Sequence, residues 1–172
     1  MLDKLDPRSL TIDLETGGIS PTHDPILNFG IGDASHSISL PWPLPPLCEE
    51  PLRRLLAGPG VKNFHNSQHD LTAIAWKTDF RVNGPIDDTL LMDAALRPQM
   101  PHRLAIAAAR LFRPRWKNEA DDSEYRGSDR YVKMDPQKRA RYNCDDVRNQ
   151  HDLRELLVPQ LAADRTAKAI YE

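Results

Sequence analysis

Hydrophobic and polar positions change period several times along the chain. Leu10, Thr11 and Ile12 form a short β-prone run that stops at Asp13, and Gly17 and Gly18 then impose a turn, so the opening reads as a strand ending in acidic residues. Residues 26–32 and 36–40 alternate well enough for two more strands joined by a turn at residues 33–35, an antiparallel meander. The proline-rich stretch 41–46 breaks the sheet and reads as a surface loop in preference to a polyproline ligand. Residues 47–57 suit a short helix and residues 61–64 a brief strand, with Gly58, Pro59 and Gly60 between them. Residues 66–77 predict a helix with Leu71, Ile74 and Ala75 on one face. Two further helices, 88–96 and 102–112, are separated by Pro98 and Pro101. Periodicity then vanishes, and about residues 113–134 predict a flexible loop or lid. Asp135 followed by Pro136 is an N-cap with proline at the first helical position, opening a long helix to about Leu157. Strands early and helices late place a mixed sheet among helices, an α/β class.

The chain has 172 residues, 40% of them hydrophobic, which fits one domain over 1–172. A chain of this length buries roughly 70% of its unfolded surface and needs no disulfide or structural metal to fold. No apolar run approaches the ~20 residues of a membrane span, and residues 1–9 lack the apolar block of a signal peptide. Cys48 and Cys144 stand in no CxxC or zinc-like arrangement, so a reducing cytoplasm is expected. The net charge of -2 argues against strong nonspecific binding to duplexes. Its distribution is uneven: residues 1–96 carry 7 Lys and Arg against 13 Asp and Glu, and residues 97–141 carry 12 against 6. An acidic centre faced by a basic segment suits a metal enzyme with a polyanionic substrate, and ordinary solvated surface accounts for the same counts.

Three acidic clusters stand at element ends or within a helix: Asp13 with Glu15, Asn66 with Asp70, and Tyr142 with Asp146. In an extended segment i and i+2 point to one side, so Asp13 and Glu15 can hold one ion. Asn66 with Asp70, and Tyr142 with Asp146, share helix faces at i and i+4. Four carboxylates gathered together repel unless a cation neutralises them, and oxygen ligands suit Mg2+ or Mn2+ over zinc. Spacing alone is weak. The chain supplies decoys in Asp122 with Glu124, Asn118 with Asp122 and Tyr125 with Asp129, all inside the aperiodic stretch. Taken singly, Asp13 also suits a strand-end turn, Asn66 an N-cap and Asp146 a surface helix.

The stretches Thr11-Ile12-Asp13-Leu14-Glu15-Thr16-Gly17-Gly18, Asn63-Phe64-His65-Asn66-Ser67-Gln68-His69-Asp70-Leu71 and Tyr142-Asn143-Cys144-Asp145-Asp146-Val147 resemble the three motifs of the ribonuclease H-like 3'-5' exonucleases, in the branch with four acidic residues and a tyrosine. Within that branch the chain looks most like the proofreading exonuclease domain of family A DNA polymerases, phage-type ones in particular. Residues 88–91, Leu96, Pro98, 101–104 and 116–117 resemble the region between the second and third motifs. The likeness extends from about Leu10 to Leu157. The histidine branch places His five residues before the last Asp, where Arg141 stands here. His65 precedes Asp70 by five, in the second motif, and is taken as coincidental.

The resemblance implies a ribonuclease H-like α/β fold with a mixed, mostly five-stranded sheet. It implies two divalent cations, Mg2+ or Mn2+, with Asp13, Glu15 and Asp146 on the tighter one and Asp13 bridging to a second held through water by Asp70. Tyr142 would orient the attacking water. Thr16 and Ile19 would meet the terminal nucleotide, Ile19 as a wedge against the bases or else a core residue, and Asn66 would hydrogen-bond the strand. The expected substrates are single-stranded or frayed DNA 3' ends, with 5'-mononucleotides as products, in a bacterial or phage-infected cell. The chain lacks polymerase domains, so it works alone or serves a polymerase on another chain. Arg103, Arg113, Arg115, Lys117, Arg126 and Arg130 are candidate phosphate contacts. An exoribonuclease of the ribonuclease D type and a noncatalytic module that docks on nucleic acid or a polymerase are the alternatives.

Overall fold

A computed structural model of the chain describes residues 1–111 and 130–172. Strand β1 (Ser9–Thr16) is the centre of a five-stranded sheet of order β3-β2-β1-β4-β5. On one side β2 (Ile26–Gly32) and β3 (Ser37–Pro41) follow it antiparallel, as the alternating pattern predicts. On the other side β4 (Val61–Phe64) and β5 (Ile86–Asp88) run parallel to it. Helix α1 (Pro46–Ala57) lies between β3 and β4 in the chain, and α2 (Ser67–Lys77) between β4 and β5. Helices α3 (Thr89–Leu96), α4 (Leu104–Leu111), α5 (Arg130–Lys133), α6 (Pro136–Ala163) and α7 (Arg165–Tyr171) complete the chain. No described helix is long and apolar enough to cross a membrane.

The core divides where the apolar pattern divides. Leu10, Ile12, Phe29, Ile31, Phe64 and Ile74 pack with α1 residues Leu52 and Leu56 around the sheet. A second cluster joins Met92 and Ala107 to Leu153, Leu157 and Leu161 of α6. Helix α6 lies against β1, β2 and β3, and two glycines let it come close. A Cβ at Gly30 would sit 2.7 Å from the Asn143 side-chain amide, and one at Gly32 2.7 Å from Val147 Cγ1.

Four departures from the sequence reading have local causes. Strand β1 does not stop at Asp13 but runs to Thr16, because β2 continues the ladder through Glu15 with Asn28 and Thr16 with Ile26. The end of the expected loop is helical: α5 occupies residues 130–133, while residues 113–129 of that loop lie outside the described residues. Helix α6 passes Leu157 and ends at Ala163, its start capped as expected by Asp135, whose carboxylate accepts the N–H groups of Gln137 and Lys138 at 3.0 Å. Strand β5 is too short for its pattern to be seen, and Asp88, read as helical, ends that strand and caps α3.

Candidate active site

Strand β1 outruns its parallel neighbour, and that mismatch opens the site. The β1–β4 ladder pairs only Ser9 to Thr11 with Val61 to Asn63, so the rest of β1 has no strand on that side. The start of α2 takes the place of a strand: Asp70 Oδ1 accepts the Leu14 N–H at 2.9 Å. This bond draws the second acidic cluster onto the first.

Alternation along β1 turns Asp13 and Glu15 to one face, and α6 crosses that face with Asp146. Ligand oxygens of Asp13, Glu15 and Asp146 all lie within 4.8 Å of one another. Glu15 and Asp146 are buried, and so is Asp70. At such distances two carboxylates repel by about 3 kcal/mol per pair at an effective dielectric of about 20. A bound cation removes that cost. The donors are all carboxylate oxygens, the set a hard divalent ion takes, so the residues present fit Mg2+ or Mn2+. Asp70 stands behind the cleft wall, where burial and then the nearby charge of Asp13 push its carboxyl well above the usual carboxylate range.

The cleft in front of these acids is an open volume of about 400 Å³ lined by Asp13, Leu14, Glu15, Thr16, Gly18, Ile19, Asn66, His69, Tyr131 and Asp146. Thr16, Ile19 and Asn66, expected against the terminal nucleotide and the strand, are all on this wall. Thr16 is buried and its hydroxyl donates to Gly18 O at 2.7 Å. Ile19 is 82% exposed on the rim, which rules out the core alternative. Asn66 precedes α2 in a left-handed conformation, φ 73°, one that asparagine tolerates better than most residues. It makes no side-chain cap; its backbone N–H and that of Ser67 are held instead by the two carboxylate oxygens of Asp88, at 3.0 and 2.7 Å.

Tyr142 does not line the cleft. It packs edge-on against Tyr131, ring centroids 5.5 Å apart, and Tyr131 forms the wall. The Tyr131 hydroxyl donates to the Tyr142 oxygen at 3.3 Å, and the Arg130 guanidinium lies over both rings at 4.5 and 5.9 Å. Burial, with Asp146 adding for Tyr142 and Glu15 for Tyr131, raises both phenols far above their ordinary value. Both hydroxyls therefore stay protonated at neutral pH.

Tyr131 and His69 are cleft residues that the sequence reading did not select. His69 precedes Asp70 in the second acidic stretch, and its Nε2 stands 3.4 Å from the Thr16 hydroxyl. Tyr131 has a Tyr-x-x-x-Asp spacing to Asp135, but Asp135 caps α6, so spacing misdirects here. His65 is not on the cleft wall; its Nδ1 lies 2.9 Å from the Thr89 hydroxyl. Arg103 is exposed outside the cleft wall, and Arg113, Arg115, Lys117 and Arg126 lie outside the described residues.

No family model and no curated protein matches the sequence. Solved structures do match. NrnC of Brucella melitensis bound to pGG superposes with a TM-score of 0.78 at 21% identity, over 99% of this chain and 81% of that one. The same protein with bound Mg2+ gives 0.74 at 22%, with the same coverage. The POL domain of Pol1 from M. smegmatis, in complex with DNA primer-template and dNTP, gives 0.66 at 17%, over 95% of this chain and 25% of that one. Escherichia coli RNase D, an exoribonuclease involved in structured RNA processing, gives 0.59 at 16%, over 95% and 44%. The chain shares with them the ribonuclease H-like fold, a five-stranded mixed sheet flanked by helices.

Proposed function

We propose that this protein is a metal-dependent 3'-5' exonuclease that hydrolyses single-stranded or frayed 3' ends to 5'-mononucleotides. The observation that carries this reading is the convergence of Asp13, Glu15 and Asp146, from β1 and α6, on one point of an open cleft. NrnC, which shares this fold, is bound to Mg2+ in one structure and to pGG in another, which supports a cation and an oligonucleotide as ligands here. A noncatalytic module has no use for buried acids held in mutual repulsion.

Asp13, Glu15 and Asp146 would hold one divalent ion and Asp70, with Asp13, a second. When bound, such ions acidify a water and stabilise the charge on the attacking and leaving oxygens of an in-line displacement. The chain's own groups do the rest. Tyr142, kept protonated by burial, does not act as a base; from behind the cleft wall its oxygen accepts from and fixes the hydroxyl of Tyr131, the phenol placed on the wall to orient water. Thr16 and Asn66 are placed for the terminal nucleotide. Ile19, an exposed apolar side chain on the rim, is suited to pack against a base and prise it from its neighbour. An end that must leave its duplex to reach this cleft favours single strands.

DNA, with proofreading for a polymerase on a separate chain, follows from the motif resemblance. RNA is the second reading, favoured by the fold shared with an exoribonuclease. Digestion of 5'-labelled DNA and RNA oligonucleotides of one sequence with Mg2+, Mn2+ or EDTA tests both. A ladder shrinking from the 3' end with metal alone is expected, and the faster substrate identifies the sugar. Failure of both substrates to shorten with metal would refute the exonuclease reading.

A further inference from the structure

Resting on the metal-centre reading above, a second group of residues bears on Asp13 alone. Both of its carboxylate oxygens are held by side-chain amides from one face of α6: Gln150 Nε2 donates to Oδ1 at 2.5 Å, and Asn143 Nδ2 to Oδ2 at 2.8 Å. Asn143 Nδ2 also lies 3.2 Å from the main-chain oxygen of Asp13. Both amides are fully buried, and they flank Asp146 on the same helix, three residues after Asn143 and four before Gln150. Asn143 reaches Asp13 only because Gly30, the β2 partner of Asp13, has no side chain in the way.

The orientation of the Asn143 amide is fixed from behind. Arg139 Nε donates to Asn28 Oδ1 at 2.6 Å, Asn28 Nδ2 to Ser39 Oγ at 3.0 Å, and Ser39 Oγ to Asn143 Oδ1 at 2.6 Å. Every donor in this chain points the same way, from a guanidinium at one end to a carboxylate at the other. Bonds aligned head to tail polarise and strengthen one another. Because the Ser39 proton is committed to Asn143 Oδ1, only the NH2 of that amide can face Asp13. Arg139 Nη1 also donates to Tyr131 O at 2.7 Å, so the same residue ties the cleft wall to the chain.

We propose that Asn143 and Gln150 are positioning residues, an amide clamp that fixes the Asp13 carboxylate and thereby sets the affinity of the cleft for its divalent cation. Amides suit that task. A lysine or arginine at either place would neutralise Asp13 and compete with a cation, whereas a neutral donor orients the carboxylate and leaves its charge intact. A carboxylate offers about four acceptor positions, so two amide bonds are compatible with ligation of an ion. Partners that orient a ligand in this way typically account for roughly 10- to 100-fold in metal affinity.

The test is Mn2+ affinity, measured by titration calorimetry on purified protein, for the wild type, Asn143→Leu, Gln150→Leu and Ser39→Ala. Each leucine variant is expected to raise the Mn2+ Kd roughly 10-fold, with a smaller rise for Ser39→Ala, and to raise the Mn2+ concentration for half-maximal rate without changing KM for the oligonucleotide. Excess Mn2+ should restore turnover in these variants. Should Asn143→Leu fail to fold, Gln150→Leu and Ser39→Ala decide. Folded variants that bind Mn2+ as tightly as the wild type would overturn the clamp and leave the metal centre standing. A wild type that binds no Mn2+ would overturn both.

Discussion

Asp70 Oδ1 accepts the Leu14 N–H at 2.9 Å, so one bond completes the open edge of β1 and brings a fourth carboxylate beside Asp13. Burial raises that carboxyl, with Asp13 adding to the effect. The folded value exceeds the unfolded one, so between the two the native state binds more protons and stability falls as pH rises through that window. An asparagine side chain in its place would keep the acceptor and lose the charge. Asp70→Asn is therefore expected to raise the melting temperature in EDTA, more at pH 8 than at pH 4, while lowering turnover on the order of 10²-fold or more. Melting curves across that range, with and without EDTA, check the first part; an EDTA melting temperature equal to the wild type's at pH 8 would contradict it.

The third motif offers two adjacent acids, and burial distinguishes them. Asp146 is buried within the cluster of three, whereas Asp145 is outside it. Asp146→Asn should cost on the order of 10³-fold in turnover, as should Asp13→Ala, with folding intact. Asp145→Asn should keep turnover within a few-fold of wild type. Initial rates on a single-stranded oligonucleotide measure all three.

The tyrosine pair makes a milder prediction. Tyr142→Phe deletes one hydroxyl and no ligand, and a hydrogen bond worth about 1 kcal/mol corresponds to roughly a fivefold loss in rate. Tyr131→Phe removes the donor to Tyr142 and should give a comparable loss. Because both phenols are raised far above their ordinary value, the pH–rate profile should lack a tyrosine limb between about pH 8 and 10. A limb in that range that disappears in Tyr142→Phe would assign the hydroxyl to base catalysis instead.

His65 affects stability away from the cleft. The Thr89 hydroxyl donates to Phe64 O, so His65 donates its Nδ1–H to Thr89. Burial, opposed by the charges of Asp88 and Asp93, pushes the imidazole down to about 4. The folded value lies below the unfolded one of 6.5, so this contribution is complete above that pH and is lost as pH falls toward 4. The loss amounts to about 2 kcal/mol between pH 7 and 5. Urea denaturation should show His65→Gln losing less stability than wild type over that interval.

The acids were legible because they sit where strong local patterns end: Asp13 after Leu10-Thr11-Ile12, and Asp70 on the first turn of an amphipathic helix. Each pattern requires only nearby residues. Tyr131 was not legible, since its role comes from packing against Tyr142 and no period marks a four-residue helix. The amide clamp was equally hidden. Asn143 and Gln150 look like ordinary polar positions of a long helix until Gly30 and Gly32 let that helix settle on the sheet. Strand β5 has three residues and owes its place to β4, a tertiary cause with no local trace.

The most direct test of the metal centre is the anomalous density of manganese in crystals soaked with Mn2+. The account predicts a manganese peak ligated by Asp13, Glu15 and Asp146, with a second beside Asp13 on the Asp70 side. Manganese bound elsewhere, with this cleft empty at saturating Mn2+, would contradict it.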